Sequence, residues 1–430
     1  MRIGFKINDA TKKNLDLSNP IKGNPGIGGS EFAISMLSFM YAEYYPQNTV
    51  YILHNEKSNI YSDQTHPIFV ENDEFLDKIL VENNIDILVM VNAIYDNDWY
   101  KRIKSANVKI VYIMANFMQL HHLKQYRNNE VVARIVFVGK EQYSWCIDDE
   151  LINKSCIIGN IISNQHDVVR CIDTKVPIVT YMGALVPQKG FHVLAKQWKR
   201  IVKKVPNAQL YVIGSGTLYS DVAILGKYGV ASEEYENSFM PYLLDGSGEI
   251  IPSVHFMGNM GQEKEEILLK TWVGVPNPTA ETETFCNCAV EMEGYGIPIV
   301  TKAKNSFFDV TKKNYSSLLF YTQYGFYRKI IKLLKNAELN KKMGSNAQKI
   351  SGQFTPENLI PKWKRVFDEV MEDKNPAYCG NHRHLFYNLK ILRIINRFLR
   401  IKLKMSFLPT ALEGYRSGIK KRGQKEVFYE

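Results

Sequence analysis

The chain has 430 residues, more than one ordinary core holds, so two domains with appendages are expected. Its 45% hydrophobic and 23% charged residues exclude disorder. The net charge of +10 is local: residues 377–430 hold twelve Lys and Arg against three Glu, leaving the body nearly neutral. No apolar run is long enough to cross a bilayer, and Met1–Asn8, with Arg2 and Lys6 in a strand pattern, reads as no signal peptide. Six cysteines without CxxC or zinc spacing imply a reduced, cytosolic protein.

Arg2–Asn8 reads as a strand, Lys22–Gly29 as a glycine-rich loop, and Ser30-Glu31 as a helix start with Phe32, Ile34, Leu37 and Met40 apolar. This order lets backbone N–H groups approach a phosphate or sugar; Gly28-Gly29 serves that approach or makes a plain turn. Strands at Thr49–His54, Ile85–Val91, Val108–Met114 and Val131–Val138 alternate with helices at Asp73–Glu82, Asp98–Ser105 and from Glu141 onward. Ser155–Ile162 is strand-like, and the polar run Ser163–Lys175 is the linker candidate. The pattern restarts with Ile178–Met182 (strand), Lys189–Val202 (helix) and Gln209–Ile213 (strand), followed by Gly214-Ser215-Gly216. Further strands are expected at Val254–Met257 and Val273–Val275, and helices at Lys329–Lys335 and Lys341–Ile350. Such alternation predicts doubly wound parallel sheets. Thr355-Pro356-Glu357 opens a helix with Leu359, Ile360, Trp363, Val366, Phe367 and Val370 on one stripe.

The most informative stretch is Glu281–Val300, ETETFCNCAVEMEGYGIPIV. Cys286–Glu293 reads as a helix, Gly294–Gly296 as its break, and Ile297–Thr301 as a short buried strand. Two carboxylates, Glu283 and Glu291, beside a helix N-terminus suit a ligand with hydroxyls and an anion, such as a nucleotide sugar. Glu283-x7-Glu291, with Phe285 and the Gly-Ile-Pro segment, resembles the donor-site signature of retaining GT-B glycosyltransferases of family 4 (glycosyl transferases group 1). Ile158-Gly159-Asn160-Ile161 is similar to the segment that ends the N-terminal domain there. Gly183–Gly190 resembles that family's G-R-L-x-x-x-K-G run, with Lys189 in place but Ala184 where the arginine stands. Cys286 replaces the usual glycine after the Phe.

The resemblance implies roles residue by residue. Glu291 would hold the ribose hydroxyls and Glu283 the donor sugar, and Lys189 with the amides of Cys286, Asn287 and Cys288 would stabilise the leaving diphosphate. Gly28, Gly29, Gly183 and Phe285 complete the donor site, and His122, or Asn116 in its stead, is a weaker catalytic candidate. Asp96-Asn97-Asp98 reads as a helix cap and not as a metal clamp, so no metal and no cofactor beyond a UDP- or GDP-sugar substrate are expected.

In the tail, Asn388–Met405 places Arg393, Arg397, Arg400 and Lys404 on one helical face and Leu392, Ile395, Phe398 and Leu399 on another. Either its apolar side enters a membrane, with Lys420-Lys421-Arg422 adding attraction to anionic lipid, or it packs on the body with a solvated basic face; nucleic acid fits less well. The expected architecture is α/β, a GT-B pair of Rossmann-like doubly wound domains facing a cleft. Residues 1–165 form the acceptor side, 176–355 the nucleotide-sugar side, 356–375 a helix crossing back, and 377–430 a basic amphipathic tail. The expected activity is transfer of a sugar, with retention, to a glycan or lipid-linked acceptor in polysaccharide or glycolipid synthesis, on the cytoplasmic face of a membrane. The alternatives are a non-catalytic module binding nucleotide sugar or glycan, and an enzyme that hydrolyses or epimerises the sugar nucleotide.

Overall fold

The computed structural model describes residues 1–163, 168–217, 224–380 and 389–414. Asn388 and Lys420-Lys421-Arg422 lie outside them, as does part of the expected linker. Two parallel sheets organise the chain. The first has seven strands in the order His66–Phe69, Thr49–His54, Arg2–Ile7, Ile87–Val91, Lys109–Met114, Val132–Phe137 and Ser155–Ile157. The second has four, in the order Val254–Gly258, Gln209–Ile213, Ile178–Met182 and Thr271–Val275. Central strands such as Ile87–Val91 are continuously apolar because helices cover both faces of a parallel sheet.

In each sheet the order reverses beside the strand that begins it, Arg2–Ile7 or Ile178–Met182. Loops leaving the carboxyl ends of the strands at such a switch point diverge and leave a crevice. The two crevices face each other. Asn287 donates across to the Gly29 carbonyl at 3.3 Å, Asn160 donates to Asn287 at 2.8 Å, and Thr284 donates to the Ala115 carbonyl.

Several expectations meet corrections. Ile297–Thr301 is not a full strand. It joins the second sheet through a single parallel bridge, Gly274 to Ile299, and Ile299 is bridged on its other side to Ser317; Pro298 offers no N–H to a ladder. The strand His66–Phe69 and the helix Leu120–Arg127 have no counterpart among the expected elements. Residues 168–175 of the expected linker are tied to the second domain, Arg170 donating to the Thr271 carbonyl and to Asn340 and Trp272 donating to the Asp173 carbonyl. Thr355 is the N-cap of the helix Pro356–Met371 with Pro356 in its first turn, but its hydroxyl donates to the Gly352 carbonyl instead of accepting from a first-turn amide.

The tail packs on the body through its basic stripe. The helix Lys390–Arg397 and the turn Phe398–Lys402 bury Lys390, Arg393 and Arg400 against the first domain and leave Leu392, Ile395 and Phe398 exposed. Of the two expected arrangements, the one packed on the body had a solvated basic face; carboxylates and carbonyls of residues 141–150 take the cations instead.

Pro356–Met371 returns to the first domain as its stripe requires. Phe367 meets Phe5 at 6.2 Å and Tyr41 at 5.0 Å, both edge to face, and Lys109 donates to the Val370 carbonyl at 2.9 Å. Because Phe367 is fully buried, Phe367→Ala is expected to cost about 3–5 kcal/mol. Urea unfolding followed by circular dichroism checks this; an unchanged midpoint contradicts the docking.

Candidate donor site

The loop Asn277–Glu283 follows the last strand of the second sheet. Ala280 and Thr282 take φ of 56° and 57°, a region that is costly for residues with a Cβ and most so for a β-branched one. The buried side chain of Asn277 holds the loop. Its Oδ1 accepts from the amides of Thr279 and Ala280 and from the Thr279 hydroxyl, and its Nδ2 donates to the Glu281 carbonyl at 3.0 Å and to Glu283 Oε1 at 2.8 Å. Glu283 is thereby fixed beside the crevice, 6% exposed, with Lys189 Nζ 2.5 Å from the same oxygen.

Lys189 ends the short turn Pro187–Lys189. Gly190 after it has φ 73°, and a Cβ there would lie 2.5 Å from Thr279 Cγ2, so glycine alone lets the two loops close on each other. Gly183, φ 155°, sends its chain past the neighbouring strand end, where Leu185 donates to the Ser215 carbonyl at 3.0 Å. Ala184 is buried, its carbonyl accepting from the Tyr181 hydroxyl at 3.1 Å, so position 184 supplies no cation.

A second ion pair stands on the helix Asn287–Gly294. Glu291 Oε1 lies 3.0 Å from Lys264 Nζ, and a Cβ on Gly23 of the glycine-rich loop would lie 3.7 Å from the same ammonium. Burial works against the Lys264 charge, but the Glu291 carboxylate prevails and holds its pKa above the ordinary lysine range. Sequence reasoning missed both Lys264 and Asn277; neither stands in a recognisable motif. The Cys288 thiol records the cluster. Burial pushes it up to about 12, Glu291 and Glu283 act in the same sense, and Lys189 and Lys264 oppose. Cys286 is likewise raised well above the ordinary thiol range, by burial first and by Glu283, and stays a thiol.

Cys286 occupies the N-cap, and the first-turn amides of Asn287 and Cys288 have no carbonyl of their own helix to meet. Opposite them the helix Gly29–Tyr44 begins after Gly28, and a Cβ on Gly29 would lie 3.4 Å from Asn287 Nδ2. Two helix N-termini thus face one crevice between two lysines, an arrangement suited to an anion. The carboxylates suit hydroxyls.

Two expected site residues are not in the crevice. Phe285 is buried edge to face on Phe354 at 5.0 Å, and a Cβ on Gly159 would lie 2.7 Å from its ring. Its part is to seat the helix against the first domain. His122 is buried in its own helix, where Nδ1 accepts from the Gln119 amide at 3.3 Å and the ring lies against Tyr126. Burial lowers it to about 4, with His121 adding to the effect, so the ring caps its helix in the neutral form. Asp96 caps its helix by accepting from the Trp99 amide at 2.7 Å, as its position suggests.

Fold and crevice define a two-domain α/β architecture whose parallel sheets turn their switch points toward each other. Residues 163–350 match the family described as glycosyl transferases group 1. The YtcC protein of Bacillus subtilis is 21% identical over 281 residues, covering 63% of this chain and 63% of that one. An uncharacterized glycosyltransferase of Methanocaldococcus jannaschii is 21% identical over 230 residues. The match spans 57% of its length, so the chain spans less than two thirds of either relative. A Rickettsia africae glycosyltransferase structure superposes with TM-score 0.65 at 12% identity, covering 86% of this chain and 98% of that one. The Anabaena HepE structure in complex with UDP and glucose gives 0.58 at 13% identity, covering 86% and 99%. The fold is GT-B.

The buried carboxyl of Glu293, two residues past Glu291, gives a pH test of the site helix. Its Oε1 accepts from the Thr311 hydroxyl at 2.5 Å, and its Oε2 is buried without a partner. Burial raises it from 4.5 to about 8. Between those values the unfolded chain ionises this group while the folded chain keeps the proton, so its contribution to stability falls as pH rises. Glu293→Gln is therefore expected to melt higher than the parent near pH 8 and close to it at about pH 5. A parent whose advantage over Glu293→Gln grows with pH contradicts the neutral carboxyl.

Proposed function

We propose that the chain transfers a sugar from a nucleoside-diphosphate donor to a glycan or lipid-linked acceptor, with retention and without a metal. One observation carries this reading: the pairs Lys189–Glu283 and Lys264–Glu291 flank the free amides that open the Asn287–Gly294 helix, inside the group 1 domain. Glu291 takes the ribose hydroxyls and Glu283 the donor sugar, exchanging lysine contacts for substrate hydroxyls. Released from them, Lys189 and Lys264 meet the diphosphate together with the amides of Cys286–Cys288. Lys264 supplies the second cation that Ala184 does not. UDP, which the Anabaena HepE structure holds, is the nucleotide to test first.

In the step itself the bond from the anomeric carbon to the diphosphate oxygen breaks as the acceptor oxygen bonds to that carbon on the same face. The acceptor proton passes to the leaving phosphate. No side chain is required as nucleophile; Cys286, the buried thiol beside Glu283, is held protonated. Lysines and helix termini neutralise the leaving group, which leaves a metal no necessary part. The enzyme works at the cytoplasmic face of a membrane in cell-surface polysaccharide or glycolipid synthesis, and has no nucleic-acid partner.

The buried Ala184 favours one other reading, a module that binds nucleotide sugar without turnover. Nucleoside-diphosphate release from UDP-, GDP- and ADP-sugars, with membrane extract as acceptor source, separates the two. Release from one donor is expected, unaffected by EDTA and reduced about 10²–10³-fold by Lys189→Ala or Glu283→Ala. Binding of a donor without release, or release that EDTA abolishes, contradicts the proposal.

A further inference from the structure

The tail segment 389–414 folds onto the first domain with its charges inside and its apolar residues outside. Lys390 meets Glu141 at 2.7 Å, both nearly wholly buried. The Arg393 guanidinium lies 4.4 Å from the Trp145 ring centroid and donates to the Ser144 carbonyl. Arg397 donates to the Ile147 carbonyl at 2.8 Å and lies over Tyr378. Arg400 donates to the Asp148 carbonyl and grips both oxygens of Glu150 at 3.0 and 2.9 Å. Residues 390, 393, 397 and 400 form one stripe at helical spacing, and Ile394 and Ile401 pack beside it on the first domain. Asn396 and the amide of Ala411 both donate to Asp148, closing the clamp.

The opposite side carries Leu392 (51% exposed), Ile395 (53%), Phe398 (56%), Leu403 (53%) and Phe407 (77%). Water favours the reverse arrangement, with apolar residues against the body and arginines outside. Buried guanidinium groups are costly even when paired, so a fold that seats three cations inward to leave this face outward is matched to something other than water. Lys402 and Lys404 are exposed beside the apolar residues. Two copies joined through this face would bring like charges together, whereas anionic headgroups around inserted apolar side chains match both features.

We infer that this apolar face lies in the headgroup–acyl boundary of a membrane, with Lys402 and Lys404 at the phosphate level. The inference rests on the proposed action at a membrane surface and gives it a site and an orientation. Because Lys390, Arg393, Arg397 and Arg400 are held by the first domain, insertion and not charge supplies most of the attachment. The reaction crevice then keeps a fixed relation to the bilayer, since the clamp is on the domain that faces the second across the crevice.

The test is flotation of the full chain with vesicles of phosphatidylcholine alone and of phosphatidylcholine mixed equally with phosphatidylglycerol, in low and high salt. The parent is expected to float with the mixed vesicles and largely to stay with them in high salt. The double variant Leu392→Glu/Phe398→Glu is expected to lose partitioning by about tenfold or more, while Lys402→Ser/Lys404→Ser loses less and only with mixed vesicles. Retained melting temperature and donor-release activity exclude simple unfolding of Leu392→Glu/Phe398→Glu. If that variant floats like the parent, the apolar face is not the docking surface, although the membrane reading stands. If the parent floats with no vesicle, both fail. A parent dimer in light scattering that the double variant splits assigns the face to a second copy and overturns the inference. Absence of donor release in the parent would count against the transferase alone and leave the flotation result intact.

Discussion

The side chain of Asn277 is the point on which the donor crevice depends. Five hydrogen bonds leave or reach this one buried amide, and they hold a loop whose Ala280 and Thr282 sit in backbone conformations that free chains avoid. The same amide fixes Glu283, and Glu283 fixes Lys189. A strained loop can persist only where its surroundings overdetermine it; here Thr279 adds a bond to the Gln188 carbonyl and Thr301 one to the Asn277 carbonyl. The arrangement preorganises a carboxylate and an ammonium at the carboxyl edge of the sheet, where doubly wound folds bind ligands.

Much of the fold was legible because parallel sheets write themselves as short apolar runs between helical patterns. Thr49–His54, Ile178–Met182 and Gln209–Ile213 fall where the sequence places them, and the six-residue stripe from Leu359 to Val370 is buried throughout. Less legible were elements whose pattern is polar or brief. Leu120–Arg127 carries two histidines and ordinary charges, and its inner face shows only in the burial of His122, Leu123 and Tyr126. In the site, residues inside spaced motifs were found and residues outside them were not. Glu283, Glu291 and Lys189 stand together, but their partners Asn277 and Lys264 come from a strand end and a distant loop, and only the tertiary structure brings them near.

Phe285 and the tail share one lesson. A residue type in a motif states what can be recognised, not which way it faces. Phe285 turns to Gly159 and Phe354, so its place in the signature is explained by domain packing. Arg393, Arg397 and Arg400 of the tail's basic stripe share a face as expected while Lys404 is exposed, and the direction of that face was set by Glu141, Asp148 and Glu150. Polarity of an amphipathic helix is decided by the surface it meets.

The central claim is that the paired lysines and glutamates around the Asn287 helix receive a nucleoside diphosphate. Titration calorimetry of UDP and GDP into the parent and Glu291→Ala tests it most directly. One nucleotide is expected to bind the parent, with affinity lowered about tenfold or more by Glu291→Ala through loss of the hydroxyl contacts. Equal affinity in parent and variant, or no binding of any nucleoside diphosphate, would contradict the account.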